Sequence, residues 1–174
     1  RLPRLHHSAA PRVVITASEV HNPASGGGRV GRPACLGDLS GLEQRSEMVN
    51  GEPPFDADKA YKDSKLCNLL MGRHLARLQP QWPVICWSPG LVIPRSRDGF
   101  FRNSREANPI GQALFGFVAR DLLRLTEHPQ RAAELLLRLV LDPAMPQGFS
   151  YWSNELLGPG RHQFACTETS AEAA

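Results

Sequence analysis

Tyr61 and Lys65 stand four residues apart in Tyr61-Lys62-Asp63-Ser64-Lys65, inside an apolar periodic stretch that runs from Ala57 to Leu78. On an α-helix this spacing puts both on one face, so an ammonium can lie beside a phenol. A free phenol ionises near pH ~10, and a fixed positive charge favours its anion and draws that value toward neutrality. Tyr61 is therefore expected to be a general acid or base, with Lys65 lowering its pKa. The same spacing also describes an ordinary exposed helix pair. Lysine usage separates the two readings, because among 20 lysines and arginines the only lysines are Lys59, Lys62 and Lys65. A compact ammonium is not interchangeable with a forked guanidinium, so a site needing a point charge would keep lysine here.

The elements that must position this pair read as alternating strands and helices. Arg12 to Ala17 is a β-branched run after Pro11 and predicts a buried parallel strand ending at Ser18. Residues 19–56 carry Pro23, Gly26-Gly27-Gly28, Pro33 and Pro53-Pro54, and predict irregular chain apart from a helical turn near Leu39 to Glu43. Ala57 to Leu78 predicts a long helix with Tyr61, Leu66, Leu69, Leu70 and Leu75 on its apolar face. Pro83 to Ser88 predicts a second buried strand, stopped by Pro89-Gly90, and a long loop rich in Arg, Ser and Asn follows. Pro109 to Leu125 and Pro129 to Leu141 predict two apolar helices, with Pro129 in a first turn and Asp142-Pro143 closing the second. Gly148 to Ser153 predicts a third strand, and after Gly158 the periodicity fades, so 159–174 is expected to be a disordered tail. This order argues for an α/β fold, a Rossmann-like doubly wound parallel sheet.

A length of 174 residues with 41% hydrophobic and 21% charged residues suits one globular core rather than two. The net charge of +3 comes from scattered arginines, so no basic stripe suggests nucleic acid as a partner. No stretch reaches the roughly 18 to 20 apolar residues of a membrane span, and Arg1-Leu2-Pro3-Arg4 lacks the apolar core of a signal peptide. Cys35, Cys67, Cys86 and Cys166 are too dispersed to form a metal or disulfide pattern. Gly26 to Gly31 satisfies G-x-G-x-x-G, but about eight residues separate it from the strand and Pro33 follows where a helix should run. It is read as a flexible loop rather than a phosphate cradle.

Ser18 at a strand end, Tyr61-x-x-x-Lys65 on the next long helix and Pro89-Gly90 after the next strand resemble the second half of a short-chain dehydrogenase/reductase. The closer resemblance is to the light-dependent protochlorophyllide oxidoreductase branch. It rests on Ser18 to Pro23, Gly37 to Gly41, Ala60 to Asn68 and Tyr151-Trp152-Ser153, and on the long gap between Ser18 and Tyr61. The resemblance covers roughly residues 12 to 155.

The resemblance implies NADPH as hydride source, with Tyr61 giving a proton to the acceptor, Lys65 on the nicotinamide ribose and Ser18 orienting the acceptor. It places Tyr61, Lys65, Pro89, Gly90 and Val92 at the cofactor, and Ser18, Cys67 and Leu91 at the substrate. Leu91 stands where the branch carries a cysteine, and Pro94 where the family carries a threonine, with Arg95 or Ser96 as neighbouring phosphate contacts. The family's opening glycine-rich strand–turn and its Asn-Ala-Gly segment have no counterpart here, so residues 1–158 are expected to be the C-terminal part of such a domain, lacking the N-terminal βαβ units. The expected partner is a small lipophilic acceptor, protochlorophyllide or another, in a protein that is cytoplasmic or peripheral to photosynthetic membranes and can form a homo-oligomer. The alternatives are a dark reductase of a lipophilic carbonyl and a non-catalytic pigment-binding paralogue. Cys67 also reads as a small buried hydrophobe, and the apolar helices between 109 and 141 either wall a lipophilic pocket or serve core and dimer packing.

Overall fold

The computed structural model describes residues 2–93, 106 and 108–169. A short helix α1 (Leu2–His6) precedes strand β1 (Val13–Thr16), a 3-10 turn (Glu19–His21) and the one-turn helix α2 (Ser40–Gln44). The long helix α3 (Ala57–Leu78) and strand β2 (Pro83–Ser88) follow. Helix α4 (Pro109–Gly116) continues into a π-helical segment (Phe117–Leu122), and α5 (Pro129–Leu141) leads to β3 (Gly148–Gly158) and β4 (Arg161–Thr169). The sheet has the order β1-β2-β3-β4, with β1, β2 and β3 parallel and β4 antiparallel to β3.

The apolar sequence of β2 follows from burial on both faces. Val84 and Cys86 pack with Leu69 and Ala76 of α3 on one side, while Ile85 and Trp87 meet Leu135 and Leu139 of α5 on the other. Helices thus cover both faces of the sheet. Asp56 starts α3 by accepting the Lys59 amide at 3.0 Å, and the helix ends before Pro80, as expected for a residue preceding proline. Gly72 lets α3 approach β2 closely, because a Cβ there would lie 2.5 Å from Cys86 Sγ. Arg12, just before β1, donates to the carbonyls of Leu139, Val140 and Asp142 at 2.9, 2.6 and 2.7 Å. One guanidinium so satisfies three carbonyls left open at the C-terminus of α5.

Four expectations are corrected. Residues 161–169 are a strand rather than a disordered tail, because pairing with β3 and the stacking of Phe164 on Trp152 at 5.4 Å hold a segment with little apolar pattern of its own. The sheet is accordingly mixed rather than all parallel. On α3 the buried face runs through Leu69, Gly72 and Ala76, while Leu70 is exposed. The helix expected over 109–125 changes hydrogen-bond pattern at Phe117, and it leaves Ile110, Leu114, Phe115 and Phe117 exposed instead of serving as core. The family-position residue Pro94, with Arg95 and Ser96, lies outside the described residues.

Candidate active site

Lys65 Nζ donates to the Thr16 carbonyl at 3.3 Å, and Asn68 Nδ2 donates to the same oxygen at 3.2 Å. Those two bonds set the position of α3 against the end of β1. One turn earlier on the helix, Tyr61 lies near Ser18, the residue at which the chain leaves β1 for the 3-10 turn, close enough for the Ser18 hydroxyl to act on the phenol. The Lys65 ammonium lies over the Tyr61 ring, 5.3 Å from its centroid, within cation–π range. Tyr61, Lys65 and Ser18 are therefore one cluster at the C-terminal end of a parallel strand, where ligands of open α/β sheets bind.

The electrostatic expectation for this pair needs correction. Burial pushes the Tyr61 hydroxyl above its ordinary value, with the nearby Ser18 side chain opposing. Burial also pulls Lys65 down. The ammonium faces the ring and the Thr16 carbonyl, so its charge is not spent on the hydroxyl. Tyr151 is likewise pushed up, by burial first and then by the charge of Glu19. Tyr61 and Tyr151 are the two tyrosines of the chain. Raising the pH through about 10, the ordinary phenol value, should therefore produce little tyrosinate absorbance in the folded protein and full absorbance in denaturant. An unfolded chain that releases these protons first makes the fold lose stability as pH rises above that value. Two ordinary tyrosinate transitions in the folded protein would contradict this.

The lysine cluster has a second cause. Lys59 pairs with Asp63 at 2.6 Å, with side chains only 2% and 4% exposed, and also donates to the Cys35 carbonyl at 2.8 Å. Asp63 in return accepts the Cys35 amide at 2.8 Å. Lys62 donates to the carbonyls of Val30 and Arg32 and pairs with Asp58. Two of the three lysines thus fasten the 30–35 stretch to α3, and the glycine-rich run ends on the Lys62 ammonium.

Pro89 and Gly90 join the cluster through Ser88, a buried residue that sequence reasoning passed over. Its hydroxyl accepts the amides of Glu19 at 3.3 Å and Gly90 at 3.4 Å, bridging the turn after β1 to the turn after β2. Its position as the last residue of a buried strand was the available signal. Gly90 has φ +77, and a Cβ there would meet the Asn154 carbonyl at 2.8 Å, so glycine is needed on both counts. Val92 bridges Glu127, and Leu91 is partly exposed. Cys67 is exposed on α3 instead of being a small buried hydrophobe, and it lies about 120° around the helix from Tyr61. Burial pushes the Cys86 thiol up to about 12.

Four further residues crowd the same end of the sheet. His21 Nδ1 lies 2.5 Å from the Ser18 carbonyl, and its ring meets Tyr151 edge-on at 5.5 Å. Burial, and next the charge of Glu155, push the Glu19 carboxyl up. The Tyr151 hydroxyl and Ser153 Oγ are buried without a hydrogen-bond partner among the described residues. Among those residues there is also no group of three metal-ligating side chains, and no helix is long and apolar enough to cross a membrane.

The chain is 33% identical over 155 residues to protochlorophyllide reductase A, chloroplastic, of Triticum aestivum, which covers 82% of the chain and 37% of the relative. Protochlorophyllide reductase of Avena sativa gives 33% over 82% of the chain and 46% of its own length. The Pisum sativum protein of that name gives 30% over 94% and 42%. The chain is homologous to part of a protochlorophyllide reductase. It spans about two fifths of the length of these relatives. No protein-family model matches it. An α/β chain with a mostly parallel mixed sheet flanked by helices is consistent with part of a Rossmann-type arrangement.

Proposed function

We propose that these residues form the proton-delivery part of an NADPH-dependent reductase of the protochlorophyllide type, on a Rossmann-like doubly wound sheet of which they are the C-terminal portion. The observation that carries the reading is Lys65 over the Tyr61 ring, 5.3 Å from its centroid and bonded to the Thr16 carbonyl at the end of β1, with Ser18 beside the phenol. The residues present fit a nicotinamide ribose. Lys65 has three donors and uses one on Thr16, which leaves donors for ribose hydroxyls. The Pro89–Val92 backbone, tied to the same cluster by Ser88, would face the nicotinamide. The cofactor supplies hydride when bound. Tyr61, held neutral by burial, gives its proton to the acceptor, and Ser18 holds the acceptor atom beside it.

A lipophilic acceptor is supported by the exposed apolar surface of α4 and the π-helical segment, whose Gly116 adjoins Ile93 next to the Pro89–Val92 turn. The same surface suits a protein that rests on a photosynthetic membrane or pairs with a second copy. One observation favours a second reading. Leu91 brings no thiol to the position after Pro89-Gly90, which suits a light-independent reductase of a lipophilic carbonyl. Illumination separates the two. The encoded protein mixed with NADPH and protochlorophyllide should form the chlorophyllide absorption band only after a flash. NADPH oxidation in the dark with a lipophilic carbonyl, and no band after the flash, would establish the second reading. Pigment binding with no NADPH oxidation on either acceptor would overturn both and leave a non-catalytic pigment carrier.

A further inference from the structure

Glu127 lies in the connection between the π-helical segment and α5, in sequence far from Tyr61, yet it meets the turn after β2 from three directions. Its amide donates to the Leu91 carbonyl at 2.8 Å, and it forms a parallel bridge with Val92. Its carboxylate is engaged on both oxygens, with Oε1 accepting the His128 amide at 2.7 Å and Oε2 accepting Asn154 Nδ2 at 3.0 Å. Asn154, 2% exposed, also donates from Nδ2 to the Pro89 carbonyl at 3.2 Å. His162 of β4 closes the cluster, with Nδ1 at 3.8 Å from Glu127 Oε2 and its other ring nitrogen buried without a partner among the described residues. The Glu127 and His162 side chains are 13% and 10% exposed.

An enclosed carboxylate with no Lys or Arg partner among the described residues is costly unless donors converge on it. Here the donors come from the start of α5 and from β3, and two carbonyls of the Pro89–Leu91 stretch are held through the same groups. Gly90 lies close to the Asn154 backbone, so a side chain there would displace the turn. We propose that Glu127 and Asn154 are positioning residues, a clamp that holds the Pro89–Val92 backbone in the shape that receives the nicotinamide. This rests on the reductase reading above.

Glu127→Gln tests it with almost no change of volume. A carboxamide has one acceptor oxygen, so either the His128 amide or the Asn154 amide must then face an NH2 group. Asn154→Asp is the second variant, since it sets a carboxylate against Glu127. Two measurements on the encoded protein keep the outcomes apart. Hydrogen–deuterium exchange of Gly90, Leu91 and Val92 should speed up by about tenfold or more in both variants, as a lost hydrogen bond to a charged group implies. Calorimetric titration should show NADPH binding weakened by about tenfold, while acceptor affinity changes less than about twofold. Unchanged exchange would overturn the clamp. Faster exchange with unaltered NADPH affinity would overturn its positioning role. Absence of NADPH binding in the unsubstituted protein would overturn the reductase reading and the role together, with the exchange data still deciding whether the clamp exists.

Discussion

Tyr61→Phe is expected to lower turnover by roughly 10²- to 10⁴-fold, the range that a positioned general acid contributes. Phenylalanine keeps the ring that lies under the Lys65 ammonium at 5.3 Å, and it leaves the Lys65 and Asn68 bonds to Thr16 untouched. NADPH affinity should accordingly stay within about twofold, because the Lys65 donors assigned to the ribose are unaltered. Single-turnover kinetics with saturating cofactor would separate the two quantities. An undiminished rate would sink the assignment of Tyr61 as the proton donor. Equal losses in rate and cofactor affinity would point instead to a collapsed site.

The second large effect concerns stability. Asp63→Ala should cost about 3 to 5 kcal/mol of unfolding free energy in urea, the usual result of leaving one member of a buried ion pair alone. Lys59 would remain 2% exposed with its carboxylate gone, and the Cys35 amide would lose its acceptor as well. Replacing both members by apolar residues, as in Lys59→Met with Asp63→Leu, should recover most of the loss, since the uncompensated charge goes with the pair. A cost below about 1 kcal/mol for Asp63→Ala would show that water reaches Lys59 and that the pair is not a fastener.

These two predictions sit within one turn of the same helix, and they were not equally legible. Tyr61 and Lys65 could be paired from spacing alone, because i and i+4 share a helix face. Their electrostatic relation could not, because it depends on where the ammonium points and how deeply the phenol is buried. Lys59 and Lys62 looked like company for the same chemistry. Their carbonyl partners, Val30, Arg32 and Cys35, belong to a stretch about 30 residues away in sequence, and no local pattern announces such contacts. The four strand and helix limits at Ala57, Leu78, Pro83 and Ser88 were readable because proline, an N-cap aspartate and continuous apolar runs mark them.

What the chain's own residues determined is the local grammar: a β-branched run makes β1, an uninterrupted apolar run makes β2, and helical periodicity bounded by Asp56 and Pro80 makes α3. The motif order that pairs Ser18 with Tyr61 and Lys65 comes from the same source. Tertiary structure alone decided the rest. It made a strand of Arg161–Thr169 by offering β3 as a template, and it turned Leu70 outward. It raised rather than lowered the proton affinity of Tyr61, and it brought Glu127, Asn154 and Ser88 to the Pro89–Val92 turn. The physical reason is common to all of these. Backbone propensity and side-chain period act over a few residues, whereas burial, desolvation and cross-strand hydrogen bonding depend on which distant segment supplies the other half of the contact.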